Sequence, residues 1–178
     1  MAKAEQGLFK GFWVFALIIP GIIIAVDQLT KYWAINFFKA PLNICEINPH
    51  PGLFYDFSPI VDLSLVCNQG ISWGLLQGDS SLKRWALTLF AAIMCCVLIY
   101  VLTKSKDWLN RTSIALIIGG AIGNGIDRAL FGAVTDFINF SDIGFRWVFN
   151  VADSAISVGV VGLILASFIY KDEAQIGS

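Results

Sequence analysis

Charge, histidine and cysteine are all scarce in this chain. Of its 178 residues only 14% are Asp, Glu, Lys or Arg, one is histidine and four are cysteine. The 12 basic and 13 acidic side chains leave a formal net charge of −1, and no basic patch is interleaved with aromatics, so no nucleic-acid partner is expected. His50 stands alone between two prolines, and there is neither HExxH nor a paired-cysteine spacing, so no metal site is expected. The stretch GGAIGNG, residues 119–125, lacks the lysine and the preceding strand of a phosphate loop. Inside an apolar run such small residues more often permit close helix packing, and no cofactor is expected. Cys95 and Cys96 fall within another apolar run as small packing residues. Cys45 and Cys67 share one connector, and their spacing leaves open whether they pair. The chain has no internal repeat and no low-complexity tract.

What remains is strongly apolar. Hydrophobic residues make up 57% of the chain and the mean hydropathy is +0.72, values that favour an integral membrane protein over a soluble helical core. Four runs approach the roughly 20 residues that cross a bilayer: Gly11 to Val26, Trp85 to Thr103, Thr112 to Ile126, and Ser154 to Tyr170. With their polar flanks the spans are expected at about 11–33, 85–103, 112–128 and 153–170, with outer connectors at about 34–84 and 129–152, in a single integral membrane domain over 1–178. Lipid offers backbone groups no hydrogen-bond partner, so the spans should be helices in one bundle. Val61 to Cys67 partly alternates like a strand, and Asn68-Gln69-Gly70 supplies a turn. The expected fold class is therefore an all-α membrane protein, a four-transmembrane-helix bundle with a small extracytoplasmic β-containing loop region. The tail from Lys171 to Ser178 should fray.

Lys3 and Lys10 precede the first run, which ends in Asp27-Gln28-Leu29-Thr30-Lys31 without a small-residue cleavage pattern and reads as a retained anchor. Lys104, Lys106 and Arg111 crowd the connector between spans two and three, which puts that side, with Lys3, Lys10 and Lys171, in the cytoplasm. The longer connector carries Lys39, Lys83 and Arg84, offset by Glu46, Asp56, Asp62 and Asp79. Both termini are thus expected inside. Trp33, Trp85, Trp147 and Tyr170 flank the spans as interfacial belts.

This topology gathers four carboxylates at the outer surface. Asp27 ends span one, Asp127 ends span three, Asp153 begins span four, and Asp136 lies in the connector between the last two. Carboxylates at membrane depth are costly, so several converging on one face mark a site of chemistry. Each has a plainer reading when taken singly. Asp27 and Lys31 are four apart in the favourable order and read first as a structural ion pair. Asn124, Asp127 and Arg128 share a helix face, either as a polar end with Arg128 snorkelling or as a floor where Asn124 and Arg128 donate to a substrate backbone. Asn150 with Asp153 three residues later reads as a capped helix start.

The segments VDQLTK (26–31), CNQGISWGLL (67–76), GGAIGNGIDR (119–128), GAVTDFI (132–138) and FNVADSAI (149–156) together resemble lipoprotein signal peptidase, or signal peptidase II. All five stand in the family's order and cover the four spans and both outer connectors. The resemblance implies a bacterial aspartic protease of the inner membrane, its active site facing the periplasm. Such an enzyme removes signal peptides from diacylglyceryl-modified prolipoproteins, cleaving before the lipidated cysteine. The family's catalytic pair falls on Asp136 and Asp153, and its supporting positions on Asp27, Lys31, Asn68, Gly70, Asn124, Asp127, Arg128, Asn150 and Ala152. The expected partners are those prolipoproteins and membrane lipids, with the chain acting as a monomer. Ile71-Ser72-Trp73 departs from the small residues and aromatic common there, and the first connector is somewhat long. Both departures bear on loop contacts more than on chemistry.

The chemistry can also be argued from the residues alone. No metal cage, histidine or serine with a paired base accompanies the acids, whereas two carboxylates sharing one proton can hydrolyse a peptide. Adjacent like charges cannot both ionise, so one takes a proton from water while the neutral partner polarises the carbonyl. Asp153, at a helix amino terminus whose dipole favours negative charge, is the expected ionised base, and Asp136 the protonated acid. The main rival is a small transporter or channel that relays protons or cations, and a non-catalytic scaffold is a third reading. Short spans without repeats, and acids gathered at one surface instead of along a path, weigh against transport.

Overall fold

The computed structural model describes residues 12–48, 50–70 and 80–176. Lys3, Lys10, Ile71-Ser72-Trp73 and Asp79 lie outside the described residues, as does the end of the tail. Four long helices dominate: α1 (Ile19–Phe37), α3 (Ser80–Lys104), α4 (Trp108–Phe131) and α5 (Val151–Ile176), with a one-turn helix α2 (Ile44–Ile47) between the first two. Each is long and apolar enough to cross a membrane. A π-helical turn, Val14–Ile18, leads into α1. It precedes Pro20, which has no N–H to donate to the carbonyl four residues back, and the wider turn accommodates that loss. Contrary to the expected frayed tail, α5 continues past Lys171 to Ile176.

The bundle has an apolar core around Leu102, Ile114 and Ile118, but it also exposes large apolar side chains and buries charged ones. Leu17, Leu29, Phe90, Val161 and Phe168 are exposed on the helices, whereas Asp27, Lys31, Asn124 and Asp127 are buried between them. That pattern suits a lipid solvent, where apolar side chains lose nothing by facing outward and polar ones must find partners within the bundle. Helix α4 is central: it packs against α1, α3 and α5, and 44% of its apolar window is buried against 11% for α3. Its small residues allow this. A Cβ on Gly119 would stand 2.8 Å from Ile23, and one on Gly123 2.8 Å from an Asp27 carboxylate oxygen. Asp107 caps the start of α4 by accepting from the Asn110 N–H at 2.8 Å, and Gly132 ends the helix with φ +78°.

The connectors expected outside combine into one antiparallel sheet with strands in the order β1 (Leu53–Tyr55), β2 (Asp62–Asn68), β3 (Val134–Phe140) and β4 (Phe145–Phe149). Strand β2 answers to the alternating stretch in the sequence. Strand β3 has no counterpart among the stretches expected from the sequence, although Val134-Thr135-Asp136-Phe137-Ile138 carries the β-branched and aromatic residues that suit a pleated surface. The β3–β4 hairpin turns through Ser141–Ile143 and Gly144, at φ +86°. Ala34 of α1 packs with Leu63 of β2 and Phe137 of β3, seating the sheet on the bundle. A disulfide between Cys45 and Cys67 closes the pairing that the sequence left open.

Candidate active site

Alternation along β3 puts Thr135 and Phe137 on one face of the sheet and Asp136 on the other. The register sets Asp136 opposite Val66, with Asn68 two residues further along β2 on the same face. That diagonal lets the Asn68 amide donate to Asp136 at 3.0 Å. Asp136 is 1% exposed. Its other oxygen accepts from the Asn150 amide at 2.7 Å.

Asn150 stands immediately before α5 and works in both directions. Its side-chain oxygen accepts the Asp153 N–H at 2.9 Å, and an Asp153 oxygen accepts the Asn150 N–H at 3.4 Å, the reciprocal capping expected of this spacing. The same side chain that caps the helix therefore ties Asp153 to Asp136. Asn124 of α4 completes the link, donating to Asp153 at 2.7 Å and accepting from Asn150 at 3.2 Å. Burial first, and then the charge of Asp153, push the Asp136 carboxyl up to about 7, against the hydrogen bonds from Asn68 and Asn150 and the charge of Lys31.

A second tier lies beside this pair. Lys31 reaches Asp27 at 2.8 Å, Asp127 at 3.1 Å and the Asn124 side-chain oxygen at 3.2 Å, using its three donors on three acceptors. The Asp27–Lys31 ion pair expected from spacing is present, and Lys31 also pairs with Asp127 of another helix. Asp27 also accepts the Ala152 N–H at 2.9 Å, and Asp127 the Thr135 N–H at 3.0 Å, so the tier fixes both α5 and β3. Gln28, within the segment VDQLTK and outside the expected site residues, donates to Asp27, Asp127 and the Gly123 carbonyl. Its position one residue after a buried acid was the available signal; Gly123 and Asp127 come from α4 and leave no trace in local spacing. Asn124 is committed inward, against the reading in which it donates to a substrate backbone. Arg128 does not snorkel away: its charge faces Asp153, Asp136 and Asp127. Among the described residues its Nη1 donates to the Asn124 carbonyl at 3.5 Å and its buried Nε has no partner.

A cavity of about 390 Å³ opens onto Asp136, lined also by Asn68, Gly70, His50, Lys83 and Arg146. Gly70 follows Asn68 in a turn at φ +96°, its N–H held by the Asn68 side-chain oxygen at 2.8 Å. One amide thus shapes the loop with its oxygen and holds Asp136 with its nitrogen.

Asp136 is thus buried and Asp153 half-buried, the two joined through Asn150. The model of the family described as signal peptidase (SPase) II matches residues 19–169. The chain belongs to the signal peptidase II family. It is 38% identical to the lipoprotein signal peptidase of Caulobacter vibrioides over 161 residues, covering 90% of this chain and 89% of that one. It is 36% identical to that of Psychromonas ingrahamii over 177 residues, covering 97% and 92%. A solved bacterial membrane enzyme superposes with a TM-score of 0.68 at 28% identity over 90% of each chain. Membership makes the protein a membrane peptidase of the lipoprotein signal peptidase type. The matched residues 19–169 take in both tiers of the polar network.

Proposed function

We propose that this chain is an aspartic endopeptidase that removes signal peptides from diacylglyceryl-modified prolipoproteins, cutting before the lipidated cysteine. The carrying observation is that Asp136 and Asp153 are bridged by Asn150 and flanked by Asn124, with Asp136 pushed up to about 7. In the proposed cycle Asp136 holds the shared proton, and Asp153, at the α5 amino terminus, acts as the base. Asp153 takes a proton from water, whose oxygen attacks the scissile carbonyl as Asp136 gives its proton to the carbonyl oxygen. The tetrahedral intermediate collapses when Asp153 passes its proton to the leaving amine and Asp136 recovers one from the gem-diol. The products are a signal peptide carboxyl terminus and a lipidated cysteine with a free amine. No metal and no cofactor enters these steps. Asp27, Lys31 and Asp127 keep α1, α4, α5 and β3 in place, and Arg128, with donors to spare beside the acids, orients the substrate.

The enzyme is assigned to the bacterial inner membrane as a multi-pass monomer with both termini in the cytoplasm. Its site then faces the periplasm at the bilayer surface, where a diacylated cysteine keeps the scissile bond. Membrane lipids and prolipoproteins are its partners, and nucleic acid is not. Purified protein reconstituted with a lipidated prolipoprotein should release a product beginning at the lipidated cysteine, read by mass spectrometry, at full rate in a strong chelator. Loss of cleavage in chelator with recovery on adding zinc, or proton flux without cleavage, would overturn the assignment.

A further inference from the structure

The Cys45–Cys67 disulfide lies outside the polar network yet adjoins it twice. Cys67 immediately precedes Asn68, the residue that donates to Asp136. It also pairs across the sheet with Thr135, the residue before Asp136. The Thr135 hydroxyl is 3.7 Å from Cys45 Sγ, and because a disulfide sulfur carries no proton the hydroxyl is the donor. Apart from the bond, a small apolar cluster with Ile44 and Ala133 holds α2 against the sheet here. Cys45 lines a cavity of about 330 Å³ with Gln69 and Lys83, and Cys67 lines the cavity over Asp136. Both cysteines are buried, each 5% exposed, so a small dithiol would approach the bond by way of these two cavities.

We propose that the Cys45–Cys67 disulfide is a redox-sensitive positioning element for the dyad: intact, it keeps Asn68 and Thr135 in register beside Asp136, and reduction by a dithiol loosens that register and slows turnover. This rests on the reading of Asp136 and Asp153 as the catalytic pair. In the reduction the S–S bond breaks and takes two electrons and two protons from the dithiol, giving two cysteine thiols and the dithiol's own disulfide. On the outer side of a membrane the oxidised form is the resting one. The groups facing Asp136 are Asp153, Asn150, Lys31, Asn68 and Arg128, with His50, Lys83 and Arg146 around the cavity. Of these, Asn68 is the one directly bonded in sequence to the disulfide. Its hydrogen bond favours the ionised carboxylate, so loosening it moves the ionisation of Asp136 to higher pH.

The test uses full-length Cys95→Ala/Cys96→Ala protein, in which only the pair remains. Purified without reductant and denatured, it should show no free thiol; two free thiols would overturn the proposal. Dithiothreitol followed by alkylation should lower kcat by about tenfold with little change in KM, a loss in the range that slight misplacement of reacting groups produces. The basic limb of the pH–rate profile should move up, and reoxidation without alkylation should restore both. In an Asn68→Ala background, reduction should no longer move that limb. Identical profiles for the two redox states, or a slower enzyme with an unmoved limb, would show a bond that merely stabilises the fold. The dyad reading fails separately: an Asp136→Asn protein that still cleaves removes it, whereas an inactive one with a redox-insensitive parent removes the disulfide proposal alone.

Discussion

Asp136 and Asp127 are both buried acids near the end of the same bundle, and their surroundings differ in kind. Asp127 accepts from Lys31, Gln28 and the Thr135 N–H, contacts that tie α1, α4 and β3 together. Asp136 is buried beside the Asp153 carboxylate, and these two effects outweigh the hydrogen bonds from Asn68 and Asn150, so it retains its proton up to about 7. Asp136→Asn and Asp153→Asn should therefore each remove nearly all turnover, a loss of at least about 10³-fold, while folded yield and substrate binding persist. Asp127→Asn should lower folded yield and leave measurable turnover. Single-turnover assays on matched amounts of folded protein separate the cases, and an Asp136→Asn enzyme working near the normal rate would sink the dyad. The direction of the Asp136 shift also fixes a pH dependence. Cleavage should fall as pH rises through about 7 and the acid loses its proton, a macroscopic limb that belongs to the coupled pair. Stability follows the same sign. A carboxyl whose folded pKa lies above its unfolded value of 3.8 stabilises most at low pH, and that contribution is lost as pH rises towards about 7. Thermal unfolding in detergent between those limits measures it.

Among the elements, α4 and β3 do most to form the site. Helix α4 contributes Asn124, Asp127 and Arg128 from one face because its glycines let α1 and α5 approach closely. Gly123→Val should drive its side chain into the Asp27 carboxylate and loosen the Lys31 tier. The expected loss is at least about 1–3 kcal/mol, as for overpacking in general, seen as a lower yield of monodisperse protein. Wild-type yield and melting temperature for that variant would show that α4 packs otherwise. Strand β3 was the element least legible beforehand. Asp136 interrupts an otherwise apolar alternation, and a polar residue facing inward cancels the period that marks a strand. The same inward carboxylate that hid the strand is the residue for which the strand is needed.

At the scale of the whole molecule, the apolar helices and the polar cluster at one end define a direction across the bilayer. A reporter fused after Lys106, between α3 and α4, should register cytoplasm, and one after Ser141, in the β3–β4 hairpin, the outer side. The same compartment for both would end the proposed active-site topology. Composition and run length were enough to read four apolar helices, because lipid excludes any other spanning structure for such runs. The motif segments were enough to indicate the family, and local spacing to foresee the Asp27–Lys31 pair and the Asn150 cap. The partnerships between elements were decided only in three dimensions. Lys31 joins α1 to α4, Asn150 joins α5 to β3, and Asn68 joins β2 to β3. Spacing reveals a contact when both residues ride one helix or strand, whose repeat sets their separation. Which acid meets which donor across elements depends on helix crossings and sheet register, and those are set by packing over the whole chain.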